Sequence, residues 1–402
     1  MDFKQVLDIL EVLTGSVAVV TAGYSSYRWL KRRSSVFLFF KRYCEHRFFY
    51  FRSFVNKLIQ KNISRPLPDG RFINYALALR NGFYAKDVAA VRLKFFNKTV
   101  DYQMPYKIIH NYITDPESRI LIKGGDSSER FVMDAKIKSL TDPVLNEFLS
   151  LKPNTTDGPA LRMKSLSVLE DGNLQCELQN ASYFDQVRTN LTLDVPLNFE
   201  DTIRIMDLGE QNSLKEFSDS IMANTIGVSA VWFTECPNVD KDDRLRFFLM
   251  PRRKTTGVFT DMLGIISGVV EPPADGVFLE KTLEEYVEKE IRREFYQETG
   301  YAKYMERRGL DETCVSIFPL TFARELTRGG KPQFFFAINT PYIDEKEMAD
   351  FFELSFNGQE EFYNDFRSRF VMYRLSPETL SNLLFAYSYI QRKQKLGYID
   401  LS

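Results

Sequence analysis

Between Thr282 and Tyr301 the apolar residues Leu283, Val287, Ile291 and Phe295 return every four positions, the period of a helix that buries one stripe. Its ends are written into the sequence as well. Thr282 with Glu285 three residues later makes a capping box, the hydroxyl taking an orphan backbone N–H and the carboxylate reaching back to the cap. Gly300 supplies the left-handed residue that stops a helix. On either side the pattern changes to that of strands. Thr225–Thr234 and Leu245–Met250 are apolar runs separated by a polar loop, and Val315–Ala323 and Gln333–Asn339 flank the turn sequence RELTRGGKP as a hairpin. Ser376-Pro377-Glu378 opens a last helix with Leu380, Leu383, Leu384, Tyr387 and Ile390 on one face.

Earlier in the chain the signals are weaker. From Leu161 the sequence alternates on both sides of Asp171-Gly172, a hairpin signal, and leads through Ala181–Asp185 to Leu191–Val195. Ile108–Ile113, Ile120–Ile122 and Phe131–Ile137 read as strands, Ile73–Gly82 and Pro143–Leu151 as short helices, and Ala85–Phe96 has mixed periodicity. The turn residues of KPNTTDGP mark a domain boundary near 157.

The first thirty residues are apolar and small from Ile9 to Leu30, with a charge-free heart of 16 residues from Val12 to Tyr27. That is short of the roughly 20 residues of a usual span, but 22 residues cross about 30 Å if the end charges snorkel. Arg28, Lys31, Arg32 and Arg33 follow beside Tyr27 and Trp29, which predicts a single transmembrane helix with the following chain in the cytoplasm. A buried core helix is the alternative, because Thr, Ser and Gly dilute the run. Residues 34–63 interleave Phe and Tyr with Lys41, Arg42, Arg47, Arg52 and Lys57, a composition suited to anionic lipid or to single-stranded nucleic acid. With a span directly upstream, lipid is preferred.

Composition narrows the chemistry. At 402 residues, 44% hydrophobic and 27% charged, the chain has room for two domains or one with appendages. The net charge of −1 hides a basic first 60 residues and an acidic remainder. Cys44, Cys176, Cys236 and Cys314 form no CxxC pair, and the histidines are His46 and His110 alone. Zinc hydrolysis, histidine triads and a disulfide framework are therefore disfavoured.

What remains is the acid row of the 282–301 helix. Glu290, Glu294 and Glu298 recur one position before the apolar stripe, with Gln297 beside the last. Residues four apart on a helix are neighbours, so these carboxylates repel. Such a row is either a solvated acidic face or a site for a hard divalent cation. The string Arg293-Glu294-Phe295-Tyr296-Gln297-Glu298-Thr299-Gly300-Tyr301 resembles the core of the Nudix hydrolase box, Arg-Glu-apolar-any-Glu-Glu-any-Gly-apolar, and Glu285 stands where the box has its earlier glutamate. Gln297 replaces the first of the paired glutamates, and Leu279 stands at the place of the box glycine. Gly268 in Ser-Gly-Val-Val-Glu271 is the substitute, with EPPADGVFLEK inserted before the helix.

The resemblance implies hydrolysis of a diphosphate joining a nucleoside to another group, with Mg²⁺ or Mn²⁺ as cofactor. It implies Glu294 as ligand or base, Glu298 as ligand, Gln297 as a weaker oxygen donor and Arg293 as the residue that orients the glutamates, with Glu285 or Glu290 compensating for Gln297. Arg252, Arg253, Arg324 and Arg328 are the basic residues available for phosphate, Gly268 is a further substrate-binding candidate, and Glu360 and Glu361 are candidates for a distal glutamate. The expected fold is α/β: a Nudix-like α/β/α sandwich over 158–402, preceded by a transmembrane helix (1–33), a basic aromatic connector (34–63) and an intermediate α+β region (64–157). A span, a spacer and a divergent Nudix region together are similar to the SMODS-associated Nudix proteins. That implies an inner-membrane effector of CBASS-type antiviral defence, with a nucleotide substrate or cyclic oligonucleotide ligand, membrane lipid and a homo-oligomer as expected partners. Gln297 keeps a second reading open, a nucleotide sensor of the same fold with little or no turnover. A membrane adaptor with an incidental acidic helix is the third.

Overall fold

The computed structural model describes residues 72–73, 75–95, 98–124, 129–153, 155–197, 201–235, 245–251, 263–343, 375–394 and 399–400. In chain order these hold helix α1 (Tyr75–Arg80), strands β1 (Ala89–Phe95), β2 (Lys98–Met104), β3 (Tyr106–Asn111) and β4 (Ile120–Ile122), helix α2 (Ala135–Leu151), strands β5 (Pro159–Val168) and β6 (Leu174–Ser182), and helices α3 (Tyr183–Arg188) and α4 (Ile203–Met206). Strands β7 (Gly227–Glu235), β8 (Leu245–Phe248), β9 (Met250–Pro251), β10 (Leu263–Gly264) and β11 (Ile266–Val269) follow. Then come helices α5 (Leu283–Thr299) and α6 (Tyr301–Arg308), strands β12 (Ser316–Glu325) and β13 (Lys331–Thr340), helix α7 (Pro377–Gln394) and strand β14 (Ile399–Asp400).

A central sheet runs β11-β7-β13-β12-β3, and β8 pairs with the second half of β7 on the edge that β11 takes in the first half. Strand β7 is parallel to β13, and the other pairings are antiparallel. Strands β7 and β13 read as continuous apolar runs because they are covered on both faces. Side chains alternate between those faces. Val228, Ala230, Trp232, Phe334, Phe336 and Ile338 meet Leu283, Val287, Ile291 and Phe295 of α5. Val231, Phe233, Phe335 and Ala337 meet Leu380, Leu383, Phe385, Ala386 and Ile390 of α7. Trp232 ties the first layer together: it stacks on Phe248 at 3.9 Å, meets Phe295 edge-on at 5.4 Å and donates to Thr340 Oγ1.

Several expectations are corrected. The membrane part of the fold expectation is not supported. No helix among the described residues is long and apolar enough to cross a membrane. The 17-residue α5 is lined with glutamate, and the 18-residue α7 carries Glu378, Ser381, Asn382 and Ser388, which it buries against the rest of the protein. Residues 1–33 and the connector 34–63 lie outside the described residues. What the structure supports is a mixed α/β fold. The segment before 158 shares the central sheet with the segment after it, since β3 pairs with β12 through Thr321↔Asn111 and Phe322↔His110. Phe131–Ile137 does not form a strand. Asp134 accepts from the N–H groups of Lys136 and Ile137 and starts α2 there, so Pro143 falls inside a 17-residue helix instead of opening a shorter one. After Ser182, the last residue of β6, the chain turns into α3 at Tyr183, because Ser182 and Asp185 form a reciprocal capping box.

Candidate functional site

Helix α5 starts at Thr282, whose hydroxyl accepts from Glu285 N at 3.4 Å, and stops at Gly300 with φ 66°. One face packs on the sheet through the apolar stripe. Its N-terminal turn is pinned separately: buried Glu284 accepts from Tyr112 Oη at 2.6 Å and from Ile120 N at 2.9 Å. Burial raises the proton affinity of that carboxyl, and the bonds from Tyr112 and Ile120 hold it back. Glu284 is an anchor that the helical pattern did not single out.

The acid row lies against β11 and the residue that ends its loop. Glu271 N donates to Glu290 Oε2 at 3.5 Å, and Ser267 N donates to Glu298 Oε2 at 3.2 Å. Between them Gly268 faces Glu294 so closely that a Cβ there would fall 2.6 Å from the carboxyl carbon. Only glycine lets the strand approach this far. Arg293 then gathers the acids. Its Nη2 donates to Glu290 and Glu294 at 3.1 Å each and to Glu271 at 3.3 Å, and its Nη1 donates to Gln297 Oε1 at 3.3 Å. Glu271, Glu290 and Glu294 against the one guanidinium of Arg293 leave two negative charges in excess among these four groups when all are ionised. Burial pushes the Glu294 carboxyl above the usual carboxylate range; Arg293 opposes this, and the charges of Glu290 and Glu271 add to it. The row grades outward, from half-buried Glu290 and Glu294 to exposed Gln297 and Glu298.

The structure thus brings together Gly268, Arg293, Glu294, Gln297 and Glu298. It does not bring Glu285 to them. Glu285 is exposed in the first turn, and nine residues of helix place it about 13 Å along the axis from Glu294 and roughly half a turn away. Glu290 and Glu271 are the acids that stand with Arg293. Glu271 was visible in sequence only as the end of the Ser-Gly-Val-Val-Glu string, because its approach depends on how β11 crosses the helix. Arg324 is not a surface phosphate ligand: it is buried, lies over the Phe217 ring at 4.1 Å and donates to the carbonyls of Gly330 and Lys215. Arg328 is buried as well and pairs with Glu325. Arg252, Arg253, Glu360 and Glu361 lie outside the described residues.

Among the described residues no three Asp, Glu, His or Cys side chains stand as a ready metal cage; Arg293 stands among the acids instead. The donor set is nonetheless all oxygen, carries surplus negative charge and fits a hard divalent cation by its chemistry. Compared with known proteins, the chain matches no family model and no curated protein.

Proposed function

We propose that α5, β11 and Glu271 form a divalent-cation-dependent site that hydrolyses the diphosphate linkage of a nucleotide derivative. The observation that carries this reading is the convergence of Ser267, Gly268 and Glu271 on three acids at helical spacing, with one arginine paired to Glu271, Glu290 and Glu294 together. The likeness of the 293–301 string to the Nudix box supports it independently. Glu294, Glu298 and Glu290 are the residues that would hold Mg²⁺ or Mn²⁺, with Gln297 offering a neutral oxygen. The chemistry such an ion supplies when bound is neutralisation of a diphosphate and acidification of water. The chain's own residues do the rest. Burial makes Glu294 a stronger proton acceptor than an ordinary glutamate, which suits a base that takes a proton from water at its carboxylate. Arg293 fixes the rotamers of Glu271, Glu290 and Glu294 by charge-assisted bonds, and Gly268 leaves the Glu294 carboxylate its place.

The test is release of a nucleoside monophosphate from a panel of dinucleotides and nucleoside diphosphate conjugates with Mg²⁺ or Mn²⁺, abolished in Glu298→Gln. No release by the parent protein at any metal concentration overturns the reading. One observation favours the sensor alternative: where a second acid would complete the pair, Gln297 spends its oxygen on Arg293. Tight retention of a nucleotide without turnover selects that alternative, and cyclic oligonucleotides belong in the same binding panel because the likeness to antiviral effectors points to them.

A further inference from the structure

On the α7 face of the central sheet lies a second set of charges, unrelated to the acid row. Glu325 at the end of β12, Arg328 in the turn, Lys331 and Gln333 on β13, and Glu378 and Asn382 on α7 are all buried. Arg328 grips Glu325 and stands 3.7 Å from Glu378 Oε2. Gln333 is the relay: its Nε2 donates to Glu378 Oε1 and to Ser229 Oγ at 3.3 Å, and its Oε1 accepts from Lys331 Nζ at 3.2 Å. Asn382 Nδ2 reaches the same Ser229 hydroxyl at 3.3 Å. Gly227 on β7 leaves the room, since a Cβ there would fall 2.1 Å from Lys331 Nζ and 2.2 Å from Gln333 Oε1.

Lys331 is the odd member. Among the described residues its ammonium donates to one acceptor, the neutral amide oxygen of Gln333. A charged ammonium has three donors, so its buried charged form is short of acceptors. The charges facing it are Arg328 from the turn, Glu325 from β12 and Glu378 from α7. Around them Tyr75 of α1 faces Glu325, while Tyr106 of β3 and Tyr183 of α3 face Arg328. Strand β7 contributes only Gly227 and Ser229.

We propose that this cluster is a proton-operated latch: the first turns of α7 sit on the sheet while Lys331 is neutral and open more readily once Lys331 is protonated. Burial, and then the nearby Arg328, push the Lys331 ammonium down from 10.5 to about 7, with Glu325 and Glu378 opposing. Opening returns the lysine to water, where it keeps its proton up to pH 10.5. Between those limits opening takes up one proton, so its equilibrium constant falls about tenfold for each unit that pH rises.

Hydrogen exchange of the full chain between about pH 7.5 and 9.5 reads this directly, where closing outpaces exchange. Amide exchange is base-catalysed, so amides of α5 accelerate about tenfold per unit, whereas those of the first turns of α7 stay nearly constant. In Lys331→Met the α7 amides regain the about tenfold slope. The latch is overturned if α7 amides of the native protein accelerate like those of α5, if both helices are flat together, or if Lys331→Met keeps the flat slope. Should that variant not fold, the comparison of the two helices within the native chain decides alone.

Discussion

On the α5 side of the central sheet three glutamates share one arginine at the rim, whereas on the α7 side two glutamates meet an arginine and a lysine in the interior. The residue types are the same and their electrostatic situations are opposite. A surplus of like charge survives only where water reaches it, because the desolvation of an unpaired ion costs more than any single contact returns. The rim therefore holds an unbalanced set that a cation can complete. The interior holds a nearly balanced set whose members complete one another, and its one poorly matched member is the residue that titrates near neutrality.

Removing an interior partner is the strongest way to test that contrast. Glu325→Ala takes from buried Arg328 the carboxylate that grips it and is expected to lower the unfolding free energy by about 3–5 kcal/mol, read from urea denaturation. A loss under about 1 kcal/mol would put the pair in the class of exposed ion pairs and erase the distinction between the faces. The rim answers differently. Glu298→Gln is expected to lower metal-dependent turnover by about 10²- to 10³-fold while the stability moves by no more than about 0.5 kcal/mol. Gly268→Ala comes next. Its Cβ must push the Glu294 carboxyl aside from 2.6 Å, which is expected to cost about 1–3 kcal/mol of stability and to depress turnover with it. Turnover at the parent's level in that variant would show that Glu294 keeps its function away from β11.

The same contrast explains what the sequence could tell. Glu290, Glu294 and Glu298 lie within one helix at a fixed period, so their common face is legible from spacing alone. The central strands are legible too, because β7 and β13 are apolar without alternation and sit between two helices with one stripe each. Glu325, Arg328, Lys331, Gln333 and Glu378 come from a strand, a turn, a strand and a helix, and their only sequence signature is charge in an apolar neighbourhood. Arg324 and Arg328, read as available for phosphate, are buried for that reason: a basic residue beside a hairpin turn is usually exposed, and here Lys215 and Phe217, from the segment before β7, cover Arg324. Glu285 failed for another. Its number in the string fitted the resemblance, but half a turn of helix separates its face from that of Glu294. The capping residues Asp134 and Ser182 were present in sequence and were outweighed by the apolar runs beside them.

The smallest expected effect isolates Glu294 by pH. Its folded carboxyl binds a proton more tightly than an unfolded glutamate, so the native state holds the extra proton in the window above about pH 4.3. Stability then falls as pH rises from the ordinary carboxylate range through the raised value. In Glu294→Gln that decline is absent, while the titrations of groups remote from Glu294 are common to both proteins and cancel in their difference. The difference in urea midpoint should therefore drift in favour of the variant as pH rises and then level off. Mg²⁺ sharpens the outcome. A cation held by Glu294 favours its ionised form and should flatten the parent's decline, whereas a merely solvated acid face would leave the drift unchanged at any moderate metal concentration. A parent whose drift ignores Mg²⁺ would keep Glu294 on the list of buried acids and take it off the list of ligands.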